Sequence, residues 1–275
     1  MSKLIDIINS NPVLKRLHNM LEFGMNTYNL KILQQHLCSI DLDGTLFTTD
    51  YLSRLREETI KDMSCTGYSN RDILEMDNVI SIYGMTAVSI QKESVPSGDI
   101  DKSWAAKFYD CVKTISDNNL QPLWCKILAD EVMKSGSYFK RTLDVFARAD
   151  KFEIDWFFEA TKFIYDKACV PEFILTENKY YPFNQFQTLI DAGFVNSSSG
   201  SIHYDQPFTL RFYGADMKIE LLKPMFNITI YTLTDAGSQL FDLRPEKSTD
   251  SFLNSMKEMI EQNNLAKVIS IDPIS

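Results

Sequence analysis

Apolar residues along the first part of the chain recur at intervals of three and four. Leu4, Ile7 and Ile8 precede Pro12, and Val13, Leu14, Leu17 and Leu21 follow it. The spacing continues through Leu30, Leu33, Leu37 and Ile40, and again through Leu52, Leu55, Thr59, Ile60 and Met63. A repeat of about 3.6 residues places such positions on one side of a helix, so this region is expected to be mainly helical. Residues 92–101, KESVPSGDID, gather Pro, Gly, Ser and Asp and predict a linker or long loop. Beyond it, Trp104, Phe108, Cys111, Val112 and Ile115 share one helical face, and Leu123, Trp124, Ile127, Leu128 and Val132 share the next. Pro122 belongs near a helix start, which makes Asn118 or Asn119 the expected cap. Gly136 should end that helix, with Ser137 capping a third through Leu143 and Phe146. Asp150 and Glu153 have capping-box spacing ahead of Phe152, Trp156, Phe157, Ala160, Phe163 and Ile164. That aromatic stripe reads as core packing rather than a cofactor site.

After Pro171 the pattern changes. Phe173-Ile174-Leu175 is strand-like, residues 183–192 look helical, and Gly193 precedes Phe194-Val195 and a Ser/Gly turn at 197–201. Alternation in Phe208 to Phe212, and in Phe226, Ile228 and Ile230, predicts strands, with turns near Gly214 and Pro224. A short helix carrying Leu240 and Leu243 follows Thr234. Ser251 to Asn263 predicts an amphipathic helix, and Lys267 to Ile271 a last strand. Neither an internal repeat nor a low-complexity tract is evident.

The totals narrow the function classes. The chain has 275 residues and a formal net charge of -9, which disfavours an extended nucleic-acid or anionic-membrane surface. Its 5 cysteines are scattered without C-x-x-C spacing, so neither a disulfide framework nor a zinc site is suggested. The N-terminus has charges among its apolar positions, and no stretch approaches the roughly 20 apolar residues of a membrane span. A cytoplasmic protein without membrane association is expected.

Asp41-Leu42-Asp43-Gly44-Thr45 has the order of a haloacid-dehalogenase-type phosphatase motif, in which Asp41 would be the nucleophile, Asp43 the acid/base and Mg²⁺ the cofactor. That machinery requires a buried parallel strand ending at Ile40. Gln34, Gln35, His36 and Ser39 break any apolar run there, and the helical stripes on both sides make 41–45 a turn between helices. Gly98-Asp99 resembles the start of a further acidic motif, but position 103 is Ser. Glu177-Asn178-Lys179 has the form of a metal-dependent nuclease strand end, without a clear upstream acid. The 3 histidines, His18, His36 and His203, are far apart in sequence, and no Gly-rich phosphate loop occurs.

Residues 101–147 carry several words in order: Trp104 and Phe108, Ile115-Ser116-Asp117, Leu123-Trp124 with Lys126 to Ala129 and Glu131, then Gly136-Ser137 and Arg141-Thr142-Leu143. In these the chain resembles a bacterial family known only as a domain of unknown function. The likeness extends through Leu189 to Phe194 and Leu233 to Gly237. Phe139-Lys140 depart from it, since the family has a Ser after the Gly-Ser turn. The resemblance implies no activity; some relatives lie among phage-defence genes, which implies an accessory role there. The order helix, L-I-D-A-G-F, strands, then Y-T-L-T-D-A-G resembles a winged-helix module. Its candidate helix, FNQFQTLIDA, has neither Lys nor Arg, which weakens DNA binding.

The expected fold class is therefore α+β: a mainly helical N-terminal region followed by a small winged-helix-like C-terminal module mixing helix and strand. Residues 1–100 form the helical N-terminal region, 101–170 a helical core, and 171–275 the winged-helix-like region with its C-terminal helix and strand. Glu131 and Arg141 are the best polar candidates for a partner surface, or for an ion pair joining consecutive helices. The leading expectation is a non-enzymatic interaction protein with a protein partner or a second copy, without metal or cofactor. A DNA-binding winged-helix regulator and the Mg²⁺ phosphatase of Asp41 and Asp43 are the alternatives.

Overall fold

The computed structural model describes residues 8–39, 47–93, 96–178 and 180–274. The chain divides into two compact units, Met1–Ala147 and Arg148–Ser275. The break falls inside the stretch 101–170 that the sequence presents as one helical core, and the loop at 92–101 is internal to the first unit. Its Ser97 bridges to Lys134, so the Pro/Gly/Ser-rich composition marks a loop tied back onto its own unit, not a domain boundary.

The first unit contains α1 (Pro12–Gly24), α2 (Thr27–Ser39), α3 (Thr49–Cys65), α4 (Asn70–Ile90), α5 (Lys102–Val112), α6 (Gln121–Met133) and α7 (Lys140–Arg148). Each begins for a local reason or borrows one from its neighbours. Asn11 caps α1 by accepting from the N–H groups of Val13 and Leu14 at 3.0 and 3.1 Å. Ser69 and Asp72 close a capping box on α4. The cap expected at Asn118 or Asn119 does not form. Asp117 accepts from Asn119 N through its side chain and from Leu120 and Gln121 N through its carbonyl, and α6 starts without a side-chain cap. Likewise Ser137 donates to the Lys134 carbonyl at 2.7 Å instead of capping α7.

α1 packs on α5, and α4 lies against both α3 and α6. Leu14, Leu17, Leu55, Val79, Ile80 and Ile127 are buried between them, while Trp124, fully buried, meets Phe108 and Phe146 at ring separations of 5.7 and 5.0 Å. Burying each such side chain contributes about 1.5–3 kcal/mol, which is what holds helices of mixed propensity in place.

The second unit opens with α8 (Lys151–Ala160), where Glu153 accepts from Asp150 N at 2.7 Å. A 3₁₀ turn at Thr161–Phe163 follows, then β1 (Cys169–Pro171), a second 3₁₀ segment at Glu172–Asn178, and α9 (Phe183–Asp191). The remainder is β2 (Gly200–Tyr204), β3 (Phe208–Phe212), β4 (Ala215–Leu221), β5 (Phe226–Thr232), α10 (Asp235–Phe241), α11 (Asp250–Glu261) and β6 (Ala266–Pro273). One antiparallel sheet has the order β1-β5-β2, with Ile202 opposite Ile228; the other has the order β3-β4-β6, with Leu210 opposite Met217. Phe173-Ile174-Leu175 is thus part of a 3₁₀ segment and not a strand. Ile174 is fully buried, which gives a short apolar run without β-pairing.

Aromatic rings fill this second core. Phe157 stacks on Phe194 at 4.6 Å, and Phe163 meets Phe252 edge-on at 5.0 Å. The stripe on α8 is only partly core, because Phe152 is 47% exposed and packs against Trp156 at the surface. The fold is α+β, with helices first and small antiparallel sheets towards the C-terminus. No helix among the described residues is long and apolar enough to cross a membrane.

Candidate functional site

Glu131 belongs to the last turn of α6 and is 2% exposed. The chain leaves α6 at Met133 and doubles back through residues 134–139 into α7, a change of direction that leaves backbone N–H groups without helical partners. The Glu131 carboxylate accepts two of them, Gly136 N at 2.8 Å and Tyr138 N at 3.2 Å. Burial pushes its carboxyl above the ordinary range, while the N–H groups of Gly136, Tyr138 and Ser137, and the charge of Arg16, pull the other way.

The turn is fastened elsewhere too. Trp104 donates its indole N–H to the Tyr138 carbonyl at 2.8 Å, and the Tyr138 hydroxyl donates to Asp130 at 2.9 Å. Arg16 reaches from α1 to the Gly98 carbonyl and to the Ser135 hydroxyl, and that hydroxyl donates to the Asp99 carbonyl. Gly98 and Asp99 therefore serve this internal network through their backbone carbonyls. Each oxygen of the Glu131 carboxylate accepts an N–H of the turn, so the side chain serves as an internal staple.

Arg141 is placed differently. It lies in the first turn of α7 and is exposed, and among the described residues it forms no ion pair with Glu131. α7 directs Thr142, Leu143, Val145 and Phe146 inward, which turns Arg141 outward. Beside it, Phe139 is 53% exposed and Lys140 is exposed, with its ammonium on the Ser103 hydroxyl at 2.8 Å. Lys134, on the same connection, is exposed as well. The structure separates the two polar candidates: Glu131 builds the turn and Arg141 is displayed by it. Phe139 was not singled out as a site residue from the sequence, although its departure from the family's Ser was the available signal.

Asp41 and Asp43 lie outside the described residues. The helix α2, continuing to Ser39, occupies the place where the phosphatase mechanism needs a strand, and α3 begins at Thr49. Lys179 also lies outside the described residues, and the segment Glu172–Asn178 before it has 3₁₀ geometry, not the strand that a nuclease motif requires. The histidines have separate neighbours: His18 faces Glu22 at 3.5 Å, His36 faces Asp62 at 3.3 Å, and His203 faces Asn227 at 2.6 Å. Among the described residues no three His, Cys, Asp or Glu side chains are grouped to hold a metal ion. Cys65, Cys111, Cys125 and Cys169 are free, and burial pushes the Cys111 thiol up to about 11, away from the thiolate form that reacts.

On α9, Phe186 and Leu189 face the core, and the exposed positions are Phe183, Asn184, Gln187 and Asp191. None of these carries a positive charge.

Residues 70–167 match the model of a family described as protein of unknown function (DUF2806), and this stretch contains both the Glu131 turn and the Arg141 face. No curated protein and no solved structure matches the chain.

Proposed function

We propose that the protein is a non-enzymatic interaction protein whose contact face is the outward side of the turn and α7, centred on Phe139, Lys140 and Arg141. The observation that carries this reading is the division of labour at the turn. A buried carboxylate and a buried indole are used to fix a connection whose exposed side chains are one aromatic ring, Phe139, and the cations Lys134, Lys140 and Arg141. A rigid aromatic beside an arginine is the composition of an interface hot spot, because little conformational entropy is lost when it is covered. The cations select an acidic protein surface, and a second copy, with its net charge of -9, presents one.

The order of α8, β1, a 3₁₀ segment, α9, β2 and β5, with the sheet β1-β5-β2, supports reading part of the second unit as winged-helix-like, with β3 and β4 inserted between β2 and β5. The uncharged outer side of α9 favours a folding or protein-association role for that module over reading of DNA. A cytoplasmic setting and an accessory part in phage defence rest on composition and on the family resemblance, and both are compatible with such a role.

Phe139→benzoylphenylalanine, installed in living cells and irradiated, tests the face. The expected result is a discrete protein adduct that survives nuclease and is lost when Arg141→Glu is added. A nuclease-sensitive adduct would move the reading to nucleic acid, and no adduct would contradict it.

A further inference from the structure

The second unit contains a pocket of about 450 Å³ that the interaction face does not use. Phe212 and Phe241, both buried, line it together with the exposed Tyr213 and Ile274. Three cations from segments far apart in sequence also line it: Lys167 from the hairpin before β1, Arg211 from β3, and Lys247 from the connection between α10 and α11. In a chain with 28 basic and 37 acidic residues, three cations against one lining carboxylate, Asp166, run against the overall charge.

Their existing partners leave capacity for a ligand. Lys167 is held by both carboxylate oxygens of Asp242, each at 2.8 Å. Arg211 stands 3.9 Å from Asp166, too long for a hydrogen-bonded ion pair, so its guanidinium fork has donors to spare. Lys247 has no carboxylate partner among the described residues. Its stem rests on Gly214, where an added Cβ would lie 3.3 Å from the Lys247 side chain. Neighbouring anchors hold Lys247 in place, since Glu246 N donates to the Thr161 hydroxyl and Ser248 N to the Tyr213 carbonyl.

Backbone strain adds a second, independent observation. Asp166 and Lys167 have φ of 50° and 56°, two successive non-glycine residues in the left-handed region. Asn and Gly are the residues such a turn favours, and here a carboxylate and an ammonium stand in their place and line the pocket. Cross-bonds between Tyr165 and Cys169, and from Asp166 N to the Arg211 carbonyl at 2.8 Å, keep the turn in that conformation. Asp166 lines the pocket as well; burial raises its carboxyl above the ordinary range, while a hydrogen bond from the Arg211 backbone and the Arg211 charge act the other way.

We infer that this pocket binds a small phosphate monoester, with the phosphate on Arg211 and Lys247 and the organic group against Tyr213 and Ile274. Arginine supplies a bidentate fork for phosphate oxygens and lysine a point charge, while the aromatic rim distinguishes a monoester from free phosphate. Lys167, already paired with both carboxylate oxygens of Asp242, takes no part in holding the phosphate.

The test titrates the full chain with phenyl phosphate and with inorganic phosphate at constant ionic strength, followed by calorimetry. Phenyl phosphate is expected to bind at least about tenfold more tightly than inorganic phosphate, as burial of its ring requires. Lys247→Met keeps the stem on Gly214 and removes the charge; together with Arg211→Gln it should weaken phenyl phosphate by about tenfold or more. Circular dichroism of the double variant shows whether the unit is still folded, and Lys223→Met, a surface change outside the pocket, serves as the control. Equal affinity in the folded double variant and the wild type would overturn the assignment, as would the absence of any heat with phenyl phosphate. A preference for inorganic phosphate over phenyl phosphate would remove the monoester assignment.

Discussion

Glu131→Ala should destabilise the first unit far more than Arg141→Ala, although the two residues lie ten positions apart in the same family-matched stretch. The substitution removes the acceptor for Gly136 N at 2.8 Å and Tyr138 N at 3.2 Å. Tyr138 is buried, so its orphaned N–H costs about 2 kcal/mol; Gly136 is exposed and regains water, which reduces its cost to about 1 kcal/mol. Loss of the packed methylenes adds about 1 kcal/mol, and relief of the buried charge offsets part of the sum, leaving about 2–4 kcal/mol. Arg141→Ala, at an exposed site without an ion-pair partner among the described residues, should stay within about 0.5 kcal/mol. Urea denaturation followed by tryptophan fluorescence reads this unit, because Trp104 and Trp124 are buried in it. Comparable losses from both substitutions would refute the argument and restore a Glu131–Arg141 ion pair; a loss below about 0.5 kcal/mol for Glu131→Ala would show that the carboxylate does not hold the turn.

Other consequences are equally concrete. The Glu131 carboxyl is raised by burial, so its contribution to stability is present below the unfolded pKa and is lost as pH rises through the folded one; the gap between wild type and Glu131→Gln should be wider near about pH 4 than near about pH 7 in the same denaturation assay. Gly237→Ala would place a Cβ 2.2 Å from the Phe194 carbonyl oxygen, and thermal unfolding should show a loss of about 3 kcal/mol or more in the second unit. Trp104→Phe keeps most of the stacking on Phe108 at 5.1 Å but orphans the Tyr138 carbonyl, and should cost about 1–2 kcal/mol in urea. Neither the wild type nor Asp41→Asn should hydrolyse an aryl phosphate with Mg²⁺; hydrolysis lost in the variant would make Asp41 a nucleophile.

Much of the architecture is legible in the apolar spacing. The faces of α1, α3, α5, α6 and α9 follow from residues such as Leu14, Leu55, Phe108, Trp124 and Leu189, because a helix that must bury one side reveals its period. β1 and β2 are not legible: Cys169–Pro171 is too short to alternate, and Gly200–Tyr204 mixes turn formers with half-buried Ile202 and Tyr204. Phe173 to Leu175 misleads for the opposite reason, since an apolar triplet with its centre buried fits a strand and a 3₁₀ turn equally well. At the turn, the residue types of Glu131 and Arg141 attract attention, but their separate fates depend on which N–H groups the backbone turns toward the carboxylate. That information is tertiary. The pocket of Lys167, Arg211 and Lys247 was invisible for the same reason, because its cations come from three distant segments.

The central claim, that Phe139, Lys140 and Arg141 form a protein-contact face, is tested most directly by comparing photo-crosslinking from two exposed phenylalanines in the cell. Positions 139 and 152 are 53% and 47% exposed, so they offer the photoreactive group similar access. A discrete, nuclease-resistant adduct from position 139 that Arg141→Glu abolishes, with little from position 152, is the predicted result. Equal yields from the two positions, or a yield at 139 indifferent to Arg141→Glu, would contradict it.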